Sequence, residues 1–384
     1  MSKTWIRYWG GRIKRPRDVL NFSVGLGRAR SGGWRTYLVC SQPPDDLELL
    51  KPLLNIGVRI LYSPRPRCNF DMRTAKRVHD LCRRLRCDVF QCDNMHTSPL
   101  IGAALAGVPV RLWFKRSMQP AFEQCREMTL RDRVAISVRV SCWLATRVIA
   151  VSKAVKMELV RLGVAGSKCV VMNNPAEEQF AGDVDRANTR ALLGYDEKTL
   201  VYTAVGHAVA VKGWDVLIRA FAVIAPEVPE AQLLLVGSFD AEHERACYGN
   251  LKSLVASYGL GDRVRFAGRF DDPVVALGAS DVFVMPSRSE GCGNVLTEAM
   301  CAGLPCISSR VGIAPDIIRH KTNGLLVTRA DHGELAKAML LLARSPETRM
   351  RIMADVRKRR YVPTFKEYAG SLFDLCQSLL EARA

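Results

Sequence analysis

The segment Val282-Phe-Val-Met-Pro-Ser-Arg-Ser-Glu290-Gly-Cys-Gly-Asn294-Val-Leu-Thr-Glu298-Ala-Met sets two carboxylates on either side of a glycine-rich turn. The apolar run ending at Pro286 reads as a buried strand, and Asn294 suits the N-cap of a following helix. Gly291 and Gly293 let the backbone approach a ligand closely, and the unsatisfied N–H groups of a helix start favour an anion. Glu290 precedes that anion site. Glu298 lies about one turn into the helix, roughly 6 Å along its axis from Asn294. Ionised carboxylates only accept hydrogen bonds, which suits the paired hydroxyls of a sugar. A phosphate site flanked by two polyol sites has the layout of a sugar nucleotide; the plainer reading is a capped helix with two solvated glutamates.

Such a turn needs a buried parallel sheet to carry it. Short β-rich apolar runs alternate with helix-like segments along the whole chain, the pattern of βαβ units. In the first half the strands are expected at Thr4–Trp9, Arg35–Ser41, Val58–Tyr62, Asp88–Cys92, Val108–Phe114, Val148–Ser152 and Cys169–Asn173. The rhythm restarts at Leu200–Val205, Gln232–Gly237, Val264–Ala267, Val282–Pro286, Cys306–Ser309 and Gly324–Val327. Asn173-Asn174-Pro175, followed by an acidic stretch to Asp196, marks a boundary. The sequence predicts an α/β chain of two Rossmann-like, doubly wound domains, 1–175 and 176–362, facing a cleft. The amphipathic helix of 363–384 is expected to pack back on the first domain. Ligands of such folds sit at the carboxyl ends of the strands.

The 384 residues fit two domains, and 48% apolar with 24% charged residues is globular composition. No run approaches a membrane span, since the best, Pro99 to Val110, ends at Arg111. The first residues lack the apolar core of a secretion signal, so a cytoplasmic location is expected. Thirteen cysteines, an odd number without a Cys-x-x-Cys pair, imply reduced thiols, no disulfide and no metal.

The charge is unevenly placed. Residues 1–180 hold 31 Lys and Arg against 14 Asp and Glu, a net of +17 out of +18. A basic half joined to a neutral one suggests a polyanionic partner for the first domain. The segments Arg73–Arg86 and Arg126–Arg147 are the expected contact surfaces, with a solvated basic helix face as the alternative reading.

The Glu290–Glu298 segment, continuing as Glu-Ala-Met-x-x-Gly-x-Pro, resembles the signature of GT-B glycosyltransferases of the retaining family-four, or group 1, type. The resemblance extends to Val205-Gly206-His207 with Lys212-Gly213, to Val148-Ile149-Ala150-Val151-Ser152, to Val311-Gly312-Ile313 and Pro315-Asp316-Ile317-Ile318, and to Asn323-Gly324-Leu325-Leu326-Val327. It is good over 145–345 and only in outline before that.

The resemblance implies that Glu290 contacts the donor sugar and Glu298 the ribose. The backbone of Gly291, Cys292, Gly293, Asn294, Val295 and Leu296 then binds the diphosphate. Lys212, after Gly206, neutralises the leaving diphosphate, and His207 stands where the family has an arginine. Gly10 and Gly11 correspond to a glycine pair that approaches the phosphates, and the base lies near Phe266–Arg269, with Arg269 among its contacts. The family's histidine after the strand Val108–Phe114 is replaced by Lys115-Arg116, which offer a phosphate contact, while His96 is the nearby substitute.

The activity so implied is retaining, metal-independent transfer of a sugar from a nucleotide donor, a UDP- or GDP-sugar, without a cofactor. The acceptor would be a hydroxyl of a glycan or lipid-linked molecule in polysaccharide, lipopolysaccharide or glycolipid synthesis. The basic domain would meet the anionic inner face of a membrane peripherally, and no nucleic acid is expected. Three alternatives stand beside it: a sugar-nucleotide epimerase of the same fold, a binding-only relative, and a basic nucleic-acid-binding protein.

Overall fold

The computed structural model describes residues 2–13, 16–93, 96–118, 128–176, 186–239, 241–270 and 273–383. It divides into two compact units, Met1–Pro175 with Pro363–Ala384, and Ala176–Val362.

The first unit is built on a seven-stranded, wholly parallel sheet: β1 (Thr4–Tyr8), β2 (Arg35–Cys40), β3 (Arg59–Tyr62), β4 (Val89–Cys92), β5 (Val110–Lys115), β6 (Arg147–Ala150) and β7 (Cys169–Val171). Their order is β3-β2-β1-β4-β5-β6-β7. Every residue of β1 and β4 is buried, as expected for strands covered on both faces.

The second unit has six parallel strands: β8 (Leu200–Val205), β9 (Ala231–Val236), β10 (Val264–Gly268), β11 (Val282–Met285), β12 (Cys306–Ser309) and β13 (Leu325–Val327). Their order is β10-β9-β8-β11-β12-β13. In each unit the order reverses beside the first strand, between β1 and β4 and between β8 and β11. Successive crossovers run to opposite sides there, which opens a crevice at the carboxyl ends of the strands.

The final helix, Phe365–Glu381, starts from a Thr364–Glu367 capping box. Leu372, Phe373, Cys376 and Leu379 join Phe22, Leu26, Trp34 and Leu38 in the core of the first unit. The Phe373 ring lies 5.2 Å from that of Trp34.

The helix Met72–Leu85 buries Thr74, Ala75, Val78 and Cys82 and is capped by the Asp71 carboxylate. Its Arg73, Lys76, Arg77, Arg83 and Arg84, with Arg86 just beyond, are exposed. The other basic segment becomes the helix Met128–Leu144 followed by β6; Arg126 and the side chains through 135 lie outside the described residues. Among the described residues no helix is long and apolar enough to cross a membrane.

Candidate active site

At the switch point of the second sheet, the loop after β8 faces the loop after β11. Lys212 Nζ donates to Glu290 Oε1 across 2.6 Å. The Ser287 hydroxyl donates to the same oxygen at 2.8 Å. Both side chains are largely covered, with 25% of Lys212 and 12% of Glu290 exposed.

Three local features bring the pair together. Gly206 has no side chain, and a Cβ there would stand 3.3 Å from Lys212 Cδ, so the lysine stem lies over that glycine. Gly213 adopts φ +67° with the position of a Cβ 2.2 Å from the Pro286 carbonyl oxygen, so only glycine lets the two loops touch. Arg288 closes the junction. Its backbone N–H donates to Val211 O, and its guanidinium grips Asp215 with two bonds of 2.7 Å.

The helix after β11 spans Asn294–Cys301, with Gly293 as its N-cap at φ +92° and Asn294 as its first helical residue. The expected cap at Asn294 is therefore displaced by one position. Met285 Sδ lies 3.1 Å from where a Gly293 Cβ would stand, and a left-handed cap favours glycine. A glycine cap carries no side-chain acceptor for the first N–H groups. Behind them Gly291, Cys292, Leu296 and Glu298 are buried, Glu298 with 1% exposure, while Asn294 is exposed and Val295 half-buried. The Ile313 N–H donates to Cys292 O, bracing the turn from β12.

His207 follows β8 and is mostly exposed, and its Nδ1 lies 2.6 Å from Oε1 of the buried Glu244. The other Glu244 oxygen accepts from the Ser238 hydroxyl and the Ala241 N–H. Burial pushes the Glu244 carboxyl up, but these donors outweigh it and hold the group below the usual carboxylate range. Arg269 is exposed at the end of β10, two strands from β8. Beside it Phe239 stacks on Tyr248 at 4.5 Å, and both meet Phe266 edge-on.

In the first unit, Gly10 follows β1 with φ +64° and donates to Val39 O, while Gly11 O accepts from Ser41 N–H. A Cβ on Gly11 would stand 2.6 Å from the Trp9 indole nitrogen. The switch point beside these glycines holds an ion triad. Asp93, fully buried after β4, accepts from Arg7 Nε at 2.6 Å and from Arg116 Nη2 at 2.7 Å. Burial raises the Asp93 carboxyl, yet the two guanidinium groups outweigh it and the net direction is downward.

Arg116 thus faces Asp93. Lys115 is buried at the end of β5, where desolvation pulls its ammonium down against the opposing pull of Glu158. His96 pairs through Nδ1 with Asn69 Oδ1 at 3.1 Å, and burial lowers it against the raising effect of Asp71.

Glu290, Lys212, Gly206 and the Gly291–Leu296 turn converge at one crevice, with His207 in the same β8 loop. Arg116 pairs with Asp93, His96 pairs with Asn69, and Lys115 is buried at the end of its strand. Sequence reasoning missed Glu244, Ser287, Arg288, Arg7 and Asp93. A charge inside the all-buried strand β1 was the signal available for Arg7, because a buried guanidinium needs an acid. Among the described residues no group of His, Cys, Asp and Glu is arranged to hold a metal ion.

Residues 185–359 match the family model for glycosyl transferases group 1, and residues 19–180 that for glycosyltransferase family 4. A D-inositol 3-phosphate glycosyltransferase of Streptomyces scabiei is 33% identical over 222 residues, covering 55% of this chain and 49% of that protein. A GDP-mannose-dependent monoacylated alpha-(1-6)-phosphatidylinositol monomannoside mannosyltransferase of Corynebacterium glutamicum is 33% identical over 171 residues, 42% of either chain. The chain thus spans about half or less of the curated relatives it matches.

Among solved structures, Anabaena Alr3699/HepE in complex with UDP superposes with a TM-score of 0.79 at 19% identity, over 98% of this chain and 100% of that one. Sucrose-phosphate synthase of Thermosynechococcus elongatus gives 0.78 at 21% identity, over 99% and 100%. These likenesses show the fold, two Rossmann-like parallel-sheet units of the GT-B class.

Proposed function

The chain belongs to the group 1, family-four glycosyltransferases, and from that premise we propose that it transfers a sugar from a nucleoside-diphosphate donor to a hydroxyl acceptor. The observation that carries this reading is the Lys212–Glu290 pair at the switch point of the second sheet, in front of a glycine-capped helix start. Glu290 would accept from the donor sugar, Glu298 from the ribose, and the Gly291–Leu296 backbone would donate to the diphosphate. Lys212 and the protonated form of His207 would stabilise the charge that develops on the departing diphosphate, a task that needs no metal here.

We read the reaction as retaining. The bond from the anomeric carbon to the β-phosphate oxygen breaks as the acceptor oxygen bonds to the same face. The acceptor proton passes to the departing phosphate, so the protein supplies placement and charge. UDP is favoured by neighbours described in complex with UDP and with UDP-glucose, and GDP by the mannosyltransferase relative. The names of the curated relatives favour an inositol-containing or lipid-linked acceptor, as does the excess positive charge of the first unit. This fits a cytoplasmic enzyme peripheral to the inner membrane face, in polysaccharide or glycolipid synthesis.

The test is transfer from UDP- and GDP-sugars to such an acceptor, followed by the anomeric proton signal in NMR. An α-linked product from an α-linked donor is expected. An inverted product would overturn retention, and a bound but unreacted donor would favour the binding-only reading that His207 and the buried Lys115 motivate.

A further inference from the structure

Where β5, β6 and β7 begin, the first unit carries a cavity of about 490 Å³ that the donor reading does not use. Arg111, Arg147, Lys168 and Arg383 line it, with Trp143 and Ser167. Gly10 and Asp93 lie at the opposite edge of the same sheet, where the strands end.

Four cations converge here, and among the described residues that line it there is no carboxylate. Part of the charge has an obvious use. Arg111 Nε donates to Leu144 O at 2.7 Å and Lys168 Nζ to Trp143 O at 3.0 Å, the last carbonyls of the helix Met128–Leu144. A helix C-terminus offers only about half a negative charge, so about three and a half positive charges remain. Their crowding is felt. Desolvation, and then Arg383, pulls the Arg111 guanidinium below its usual range. Lys168 is lowered chiefly by desolvation, with Arg111 and Arg147 adding to it. An anion in the cavity would relieve every one of these repulsions.

The surroundings add chemistry. The Trp143 residue is 76% exposed, although its carbonyl anchors Lys168. Across the turn Ala165–Lys168 lies a second cavity, between the helix Lys153–Arg161 and β7. Met157, Val160 and Val171 make its lining apolar, and Lys153, Lys156 and Arg161 belong to the same wall. Val160 Cγ2 lies 3.8 Å from the Cβ position of Gly166, so the two cavities flank one turn.

We propose that the cation-lined cavity is a second anion site that takes a phosphate group, separate from the donor site of the other unit. Two sources share this chemistry. One is a soluble phosphate. The other is a phospholipid headgroup, with its chain in the apolar groove and the Trp143 indole at the lipid–water boundary.

The full chain is titrated with inorganic phosphate, and separately with phosphatidylglycerol–phosphatidylcholine vesicles and phosphatidylcholine vesicles. Trp143 emission, isolated by subtracting the Trp143→Phe variant, reports occupancy. Arg147→Gln with Arg383→Gln removes two cations without touching the carbonyls of the helix Met128–Leu144. Arg83→Gln with Arg84→Gln, on the exposed face of the helix Met72–Leu85, removes two elsewhere. Unchanged melting temperatures show that both variants fold.

The cavity variant is expected to bind the responding probe about 25-fold more weakly, about fivefold per charge, and the control within about twofold of the parent chain. A response to inorganic phosphate alone identifies a soluble ligand. A response only to phosphatidylglycerol vesicles identifies a headgroup. Equal losses in the two variants would assign the affinity to diffuse charge and overturn the site, as would silent Trp143 emission with every probe.

Discussion

Lys212 Nζ and Glu290 Oε1 stand 2.6 Å apart, joining the two loops that leave β8 and β11 on either side of the switch point. Each side chain holds the other in the crevice. A diphosphate arriving at the helix start would compete with Glu290 for the same ammonium, which releases the carboxylate towards the sugar.

Lys212→Ala is therefore expected to lower turnover by about 10²–10³-fold, the scale of losing one group that stabilises developing charge. Glu290→Gln should also reduce turnover. Because the two groups interact, the double variant should lose less than the product of the single losses. Steady-state kinetics on all four chains checks this.

Glu298→Ala removes a buried carboxylate that is assigned to the ribose. Hydrogen bonds to charged groups are worth roughly 1.5–3 kcal/mol, so nucleoside-diphosphate affinity should fall about 10- to 100-fold in calorimetric titration. Inorganic pyrophosphate, which has no ribose, should bind as before.

His207→Arg places a permanent cation where an imidazole is charged only when protonated. Diphosphate binding is expected to tighten by about fivefold in calorimetric titration. An unchanged affinity would show that His207 does not meet the diphosphate.

Asp93→Asn leaves Arg7 and Arg116 facing a neutral amide, and breaking a buried ion triad on one side costs about 3–5 kcal/mol. The folded carboxyl lies below its ordinary value, so its contribution is full above the unfolded value, near pH 3.9, and is lost as pH falls through the folded one. Denaturant titration should show the full loss at pH 7 and pH 5, and a shrinking difference below about pH 4.

The final helix supplies a simpler test of packing. Phe373 is 5% exposed against Trp34, and Phe373→Ala should destabilise the first unit by about 3–5 kcal/mol.

All thirteen strands were legible as short β-rich runs bounded by turn residues, the pattern that parallel strands alternating with helices impose, even where an edge strand such as Arg59–Tyr62 is only half-buried. The Glu290–Glu298 turn was legible for a similar reason, its chemistry being contiguous in sequence. The cap moved from Asn294 to Gly293 because the turn requires a left-handed residue, a demand that cap preference alone does not express. Glu244 stayed hidden since its partner lies 37 residues away, brought near only when β8 and β9 pair. Asp93 met Arg7 across 86 residues by the same route, and Lys115 turned inward because β5 buries its last residue.

A nucleoside-diphosphate site in the second unit is tested by a thermal-shift titration of the whole chain with UDP, GDP, ADP, TDP and CDP, with and without EDTA, repeated on Lys212→Ala. One diphosphate should raise the melting temperature irrespective of EDTA, and the shift should shrink in the variant. Equal melting temperatures with every nucleotide, or a shift that Lys212→Ala leaves intact, would contradict the assignment.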